Sequence, residues 1–213
     1  MDTLIKLGFD RYQRFRAAQE LIEQLADGRR LTILEAGVFD QAFTPFLTGH
    51  DHRCWPEQIR PGHGVNLPDR SVDLSMALDV LEHVRPEERA FFISELVRLA
   101  DKAVLLSFPI KKAQEAEKFV LELTGSAWLA EHQRLGLPDH EEIEKLFDGL
   151  GLEFVRHPNG SLPSWTAMML LMYGLERTIR DQVCAFFNQN YYALENREPA
   201  YRYIYVLSRP DHS

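Results

Sequence analysis

The clearest pattern along the chain is the apolar run VDLSMAL at 72–78, which ends on a polar cluster holding Asp79, Glu82 and His83. A continuous apolar run of this length predicts a strand buried on both faces. LTIL at 31–34, ending beside Gly37, and KAVLLSFP at 102–109, stopped by Pro109, predict two more. Between them the period changes. DRYQRFRAAQELIEQLA at 10–26 sets Tyr12, Phe15, Leu21, Ile22 and Leu25 on one helical side, and FFISELVRLA at 91–100 follows the helix-starting residues Pro86-Glu87-Glu88. Helices are also expected over 111–123 and 140–150, and strands over 151–155 and 201–207. The shorter segments are less sharply patterned: 41–47 reads as a helix or turn, 53–55 as a short strand before Pro56, and 63–67 as a third short strand or its exit loop. A polar and aromatic insert, 124–139, reads as a lid or substrate-facing segment, and Asn159-Gly160 with Pro163 as a loop before one long helix. Strand and helix in alternation predict an α/β fold with right-handed parallel crossovers and a ligand crevice beyond the carboxyl ends of the strands.

Composition narrows the class. A chain of 213 residues suits one domain with one core, residues 1–213. Hydrophobic residues at 45% and charged residues at 26% describe an ordinary globular protein. Acids outnumber bases 32 to 24, for a formal charge of -8, so general nucleic-acid binding is not expected. Cys54 and Cys184 have no metal-ligand spacing and read as free thiols in a reducing compartment. The charged amino terminus lacks the apolar stretch of a secretory signal, and no run approaches the roughly 18 apolar residues of a membrane span. A cytoplasmic location is the expectation.

The candidate chemistry gathers at the strand ends. Gly37 lets a ligand approach the backbone and reads equally as a tight turn. The ILEAGVFDQAF segment carries neither the GxGxxG fingerprint nor a P-loop, which removes support from a dinucleotide or nucleoside triphosphate site. Glu57 stands about 20 residues beyond Gly37, where an acid after a second strand binds ribose hydroxyls, and reads as well as a surface acid. His63, between Gly62 and Gly64, offers a ring nitrogen to an adenine or lies on a solvated turn. His83 has the near-neutral pKa of a general base, while Asp79 and Glu82 read as pocket residues or as a helix cap and surface charge. Asp79, His83 and His132 lack short ligand spacing, so no metal is expected. His132, Arg134, Asp139 and His140 concentrate polar chemistry in the insert, and Trp128, Trp165 and Tyr173 read either as an acceptor wall or as core.

The order ILEAG at 33–37, NLPDRSVDLSMALDVLEHV at 66–84, KAVLLSFP at 102–109 and YRYIYVLSR at 201–209 resembles the class I S-adenosylmethionine-dependent methyltransferases, over most of residues 11–208. AEHQRLGLPD at 130–139 and NGSLPSW at 159–165 resemble a bacterial subgroup that modifies small molecules or saccharides. The resemblance implies a Rossmann-like seven-stranded sheet with flanking helices and an antiparallel final strand. It implies S-adenosyl-L-methionine as cofactor, with Glu35, Gly37 and Val38 around its methionine part, Glu57 on the ribose, His63 and Gly64 near adenine, and Asp79, Val80 and Leu81 closing the cofactor side. The chain departs from the family at GVFDQAF, where Phe39 and Asp40 replace smaller residues, and at His63, where an acid is commoner.

The function expected is methyl transfer to an oxygen or nitrogen of a small-molecule or saccharide-like acceptor. His83 is the first candidate for proton transfer and His132 the second, with segments 110–140 and 159–190 on the acceptor side. The alternative is a noncatalytic methyltransferase-like binding protein or partner subunit, since a fold outlives its site. A nicotinamide-dependent oxidoreductase ranks third, because the pyrophosphate loop is missing.

Overall fold

The run at 72–78 becomes a strand, Val72–Leu78, with nearly every residue buried, as its lack of alternation requires. In the computed structural model, residues 3–37 and 42–210 are described; Val38, Phe39, Asp40 and Gln41 of the first loop lie outside them. The strands are β1 (Thr32–Ala36), β2 (Asp51–Trp55), β3 (Val72–Leu78), β4 (Ala100–Pro109), β5 (Glu153–Ser161) and β6 (Ala200–Ser208). They form one sheet in the order β2-β1-β3-β4-β6-β5. The first four are mutually parallel, and β6 enters antiparallel between β4 and β5.

The α-helices among the described residues are α1 (Phe9–Ala26), α2 (Arg89–Leu99), α3 (Gln114–Thr124), α4 (Ala127–Leu135), α5 (His140–Gly149), α6 (Leu162–Gly174) and α7 (Arg177–Glu195). Successive residues of β4 alternate between two cores, because side chains of a strand point to opposite faces. Val104, Leu106 and Phe108 pack with Phe92, Ile93 and Leu96 of α2 and with Phe147 of α5. Ala103 and Leu105 pack with Phe15, Ala18, Leu21 and Ile22 of α1. A third cluster joins α3, α4 and α6 through Val120, Leu129, Trp165 and Met168.

Four expectations change. Among the described residues the sheet has six strands rather than seven. The segment 63–67 makes only an isolated bridge, Arg60 to His63, and the Arg98 guanidinium bonds the carbonyls of Val65 and Leu67 that a neighbouring strand would otherwise take. Asn159 and Gly160 belong to β5 instead of a loop, because the buried Asn159 amide is satisfied by the carbonyl of Gln13 and by Asn196 Oδ1. The insert at 124–139 contains α4, started after Gly125 ends α3 in a left-handed conformation at φ 66°. The single long helix after Pro163 is two, α6 and α7.

A buried charge network pins α1 to the sheet. Arg202 of β6 is 1% exposed, bonds the Asp10 carboxylate and reaches Asp79 Oδ2 at 3.0 Å. Arg14, one turn beyond Asp10 on α1, donates to the same Asp79 oxygen at 2.6 Å. Trp165 Nε1 donates to Asp10 at 3.0 Å, and its ring stacks on Tyr201 at 3.9 Å. Two acids and two guanidiniums balance in charge, so removal of one partner strands the others in low dielectric. Arg202→Leu is therefore expected to lower the unfolding free energy by about 3–5 kcal/mol, read from urea denaturation. The exposed control Arg53→Leu should change it by under about 0.5 kcal/mol.

Candidate functional site

Beyond the carboxyl ends of β1, β2 and β3 the chain leaves a cavity of about 640 Å³, within the usual range for ligand sites. Its floor includes Glu35, Gly37, Leu78, Asp79 and Val80, and α1 contributes Arg14 and Phe15. The segment after β2 supplies Glu57, Gln58 and Ile59, while His83, Phe92 and Glu131 line the remaining wall.

Gly37 has φ 128°, and a Cβ built there would lie 2.6 Å from Val80 Cγ2. The ends of β1 and β3 are thus packed so tightly that the backbone itself forms the surface. Glu35 is fixed by His52 Nε2, 2.8 Å from its Oε2. Glu57 is exposed at the rim. The carboxylate of Asp79 is fully engaged: Ser107 Oγ donates to Oδ1 at 2.8 Å, and both arginines hold Oδ2. Burial alone would raise the Asp79 pKa, but Arg202, Arg14 and the Ser107 hydrogen bond outweigh it and hold the pKa below the usual carboxylate value. Asp79 sits at φ 54°, a left-handed conformation that Asp tolerates better than bulky residues do.

The other expected cofactor residues divide. Gly37, Glu35, Glu57, Asp79 and Val80 line the cavity; His63, Gly64 and Leu81 do not, and Val38 lies outside the described residues. His63 and Gly64 are exposed on a turn tied to α2, where Glu95 accepts from the Val65 amide at 3.1 Å. Leu81 is fully buried in the core. Gln58 and Ile59, just before that turn, line the cavity instead.

At the far wall two histidines meet across a sequence separation of 49 residues. The turn Leu81–His83 carries His83, which lines the cavity and is half-buried. His132 on α4 is 1% exposed. His83 Nδ1 lies 3.0 Å from Glu131 Oε2, and His132 Nδ1 lies 3.0 Å from Glu117 Oε1. A carboxylate only accepts, so each Nδ1 carries a proton and each ring turns its Nε2 edge inward. The two Nε2 atoms face each other at 3.3 Å. Burial and the facing His132 push the His83 pKa down against the upward pull of Glu131. Tyr201 OH donates to Glu117 at 2.6 Å, continuing the chain of contacts into β6.

This geometry reassigns several residues. His132 is enclosed, does not line the cavity, and meets it only through its contact with His83. Glu131 lines the cavity and Glu117 supports it; neither stands out in sequence, since acids on helical surfaces are common. Arg14 was equally hidden within the amphipathic pattern of α1. Of the segments expected on the acceptor side, 128–139 supplies Glu131 to the cavity lining, whereas Asn159, Ser161 and Trp165 are buried and contribute nothing to it. Trp128 Nε1 donates to Tyr173 OH at 3.0 Å, joining α4 to α6. Sequence spacing gave no reason to expect a metal cluster, yet folding brings ligand atoms of Glu82, His83 and His132 within 4.8 Å of one another.

No protein-family model and no curated protein matches the sequence. Solved structures do. The plantazolicin methyltransferase BpumL in complex with SAH (S-adenosylhomocysteine) is similar over 95% of this chain and 85% of that one, with 8% identity and a TM-score of 0.58. Magnesium protoporphyrin IX methyltransferase (ChlM) from Synechocystis PCC 6803 with bound SAH is similar over 94% and 85%, with 16% identity and a TM-score of 0.54. The CurJ carbon methyltransferase is similar over 93% of this chain and 54% of that one, with 10% identity and a TM-score of 0.56. At these identities the likeness is one of fold: the chain has the Rossmann-like class I methyltransferase fold. No helix among the described residues is long and apolar enough to cross a membrane.

Two expected outcomes follow from the strand ends. Gly37→Ala should destabilise the protein by about 1–3 kcal/mol through overpacking and a disfavoured φ, and Val80→Ala in the same chain should restore only the steric part, as measured by thermal melts of the single and double variants. Because the Asp79 pKa is lower in the folded chain, its contribution to stability is present above the ordinary carboxylate pKa and is lost as pH falls through the folded value. Asp79→Asn should therefore be less stable than the wild type at pH 7 and lose less further stability between about pH 4 and pH 2 in pH-dependent denaturation.

Proposed function

We propose that this chain is an enzyme that transfers the methyl group of S-adenosyl-L-methionine to an oxygen or nitrogen of a small-molecule acceptor. The observation that carries this reading is the cavity itself, bounded by bare backbone at Gly37 on one side and by the His83–Glu131 pair on the other. The residues present suit the cofactor. Gly37 permits close approach of its methionine part, Glu57 at the rim is free to accept from ribose hydroxyls, and Ile59 and Val80 offer apolar contact to the adenine. When bound, the sulfonium supplies an already activated methyl group, which leaves the protein to align the acceptor and manage its proton.

Asp79 contributes rigidity rather than a ligand contact, because both its oxygens are engaged by protein groups. Arg14 and Phe15 close the cavity from α1 and limit water beside the reacting atoms. His83 marks the pole where the acceptor loses its proton, with Glu131 orienting the ring through Nδ1 and His132 fixing its other edge. The acceptor class extends to hydroxylated, saccharide-like molecules and to amines. Two fold neighbours named as methyltransferases, BpumL and ChlM, were solved with SAH, which supports the cofactor assignment.

Calorimetry with S-adenosylmethionine, together with transfer of a labelled methyl group to a panel of sugars, phenols and amines, tests the reading. The expected result is saturable binding that Glu57→Gln weakens, and label transfer that His83→Ala lowers by about 10²-fold or more while binding persists. Folded protein that binds no S-adenosylmethionine would instead support a noncatalytic binding or partner role.

A further inference from the structure

The paired histidines hold an unresolved feature. With both Nδ1 atoms donating to carboxylates, the two Nε2 atoms face one another across 3.3 Å. Such a pair is held either by a proton shared between the rings or by a metal ion bound to both. Beside them sits Glu82, 1% exposed, whose Oε2 has no hydrogen-bond partner. A buried acceptor left without a donor is costly, so such an atom calls for a partner.

We propose that Glu82, His83 and His132, gathered by the Leu81–His83 turn and α4, form a site for a divalent cation of the zinc type at the acceptor end of the cavity. The spacing suits it. Two nitrogens each about 2.0–2.1 Å from one tetrahedral ion lie about 3.3–3.4 Å apart, and the Nε2 atoms stand at 3.3 Å. Rotation of Glu82, whose ligand atom lies within 4.8 Å, completes a two-histidine, one-carboxylate set with a fourth position left open. The outer contacts are those of a metal centre: Glu131 and Glu117 hold the distal nitrogens, fix both tautomers and raise the basicity of the rings. Nitrogen and oxygen ligands without thiolate favour zinc or a neighbouring first-row ion over magnesium or calcium, which take oxygen sets.

The inference rests on the proposed methyl transfer only for the use made of the ion. His83 lines the cavity, so an ion bound to it would adjoin that wall. An ion held there would lower the pKa of an acceptor hydroxyl beside it, and the proton would then pass to solvent instead of to His83 Nε2. Metal binding itself requires no methyltransferase activity.

The test is equilibrium dialysis of chelator-treated protein against zinc alone, followed by metal analysis, with cobalt as a second probe for its visible absorption. One equivalent of zinc per chain is expected, along with cobalt bands of a low-coordinate nitrogen and oxygen site. Glu82→Gln and His83→Ala should each weaken zinc binding by at least about 100-fold, and Glu131→Gln by about 10-fold. Glu131 is partly exposed on α4, so its variant keeps the test decisive even where a core variant fails to fold. Folded wild type that retains no zinc, or zinc binding indifferent to these changes, overturns the inference. Calorimetry with S-adenosylmethionine on the same samples separates the two readings, since zinc without cofactor binding sinks the methyl transfer alone, and the reverse sinks the metal site alone.

Discussion

The buried pairing of Asp10 and Asp79 with Arg14 and Arg202 is the interaction on which the rest of the structure leans. Each of these groups would be costly to bury alone, and together they are tolerable only in one arrangement. That arrangement joins the first helix, the end of a central strand and the antiparallel strand far along the chain. It also fixes Asp79 in its left-handed conformation, which turns the chain so that Val80 packs on Gly37 and His83 reaches the cavity. The neighbouring Glu82 feels the same network: burial and the Asp79 charge push its carboxyl pKa well up.

The cavity wall shows how apolar packing serves a polar site. Phe15 stacks on Phe43 with centroids 4.7 Å apart and meets Phe46 edge-on at 5.8 Å, which ties α1 to the segment after the first loop. This aromatic wedge holds Phe15 against the cavity while Arg14, the adjacent residue, reaches Asp79. The same helix therefore excludes water on one side and balances buried charge on the other. At the opposite wall a polar series runs from Tyr201 through Glu117 and His132 to His83 and Glu131. Its members come from β6, α3, α4 and the turn after β3, so the His83 wall of the cavity is braced by the sheet core.

Sequence legibility followed the range of the forces involved. The α/β alternation and the two central strands could be read because burial on both faces leaves a local apolar run. Glu35, Gly37, Glu57, Asp79, Val80 and His83 were found because they stand at strand ends, where chain position alone predicts proximity to a crevice. Of the two readings open for the GHG turn the structure has the solvated one, because Glu95 and Arg98 on α2 bind the backbone that follows it and draw it aside. Trp165, which read either as an acceptor wall or as core, is core, its ring stacked on Tyr201.

By itself the sequence determined the α/β alternation, the antiparallel closing strand implied by the family resemblance, and the chemistry available at the strand ends. Only the tertiary structure decided that residues 63–67 would not become a seventh strand, that Arg14 and Arg202 would neutralise Asp79, and that Glu82, His83 and His132 would share one point. Periodicity reports which face of an element is buried, a property of neighbouring residues. Charge balance and ligand convergence depend on residues 49 to 192 positions apart, and no local pattern carries that information.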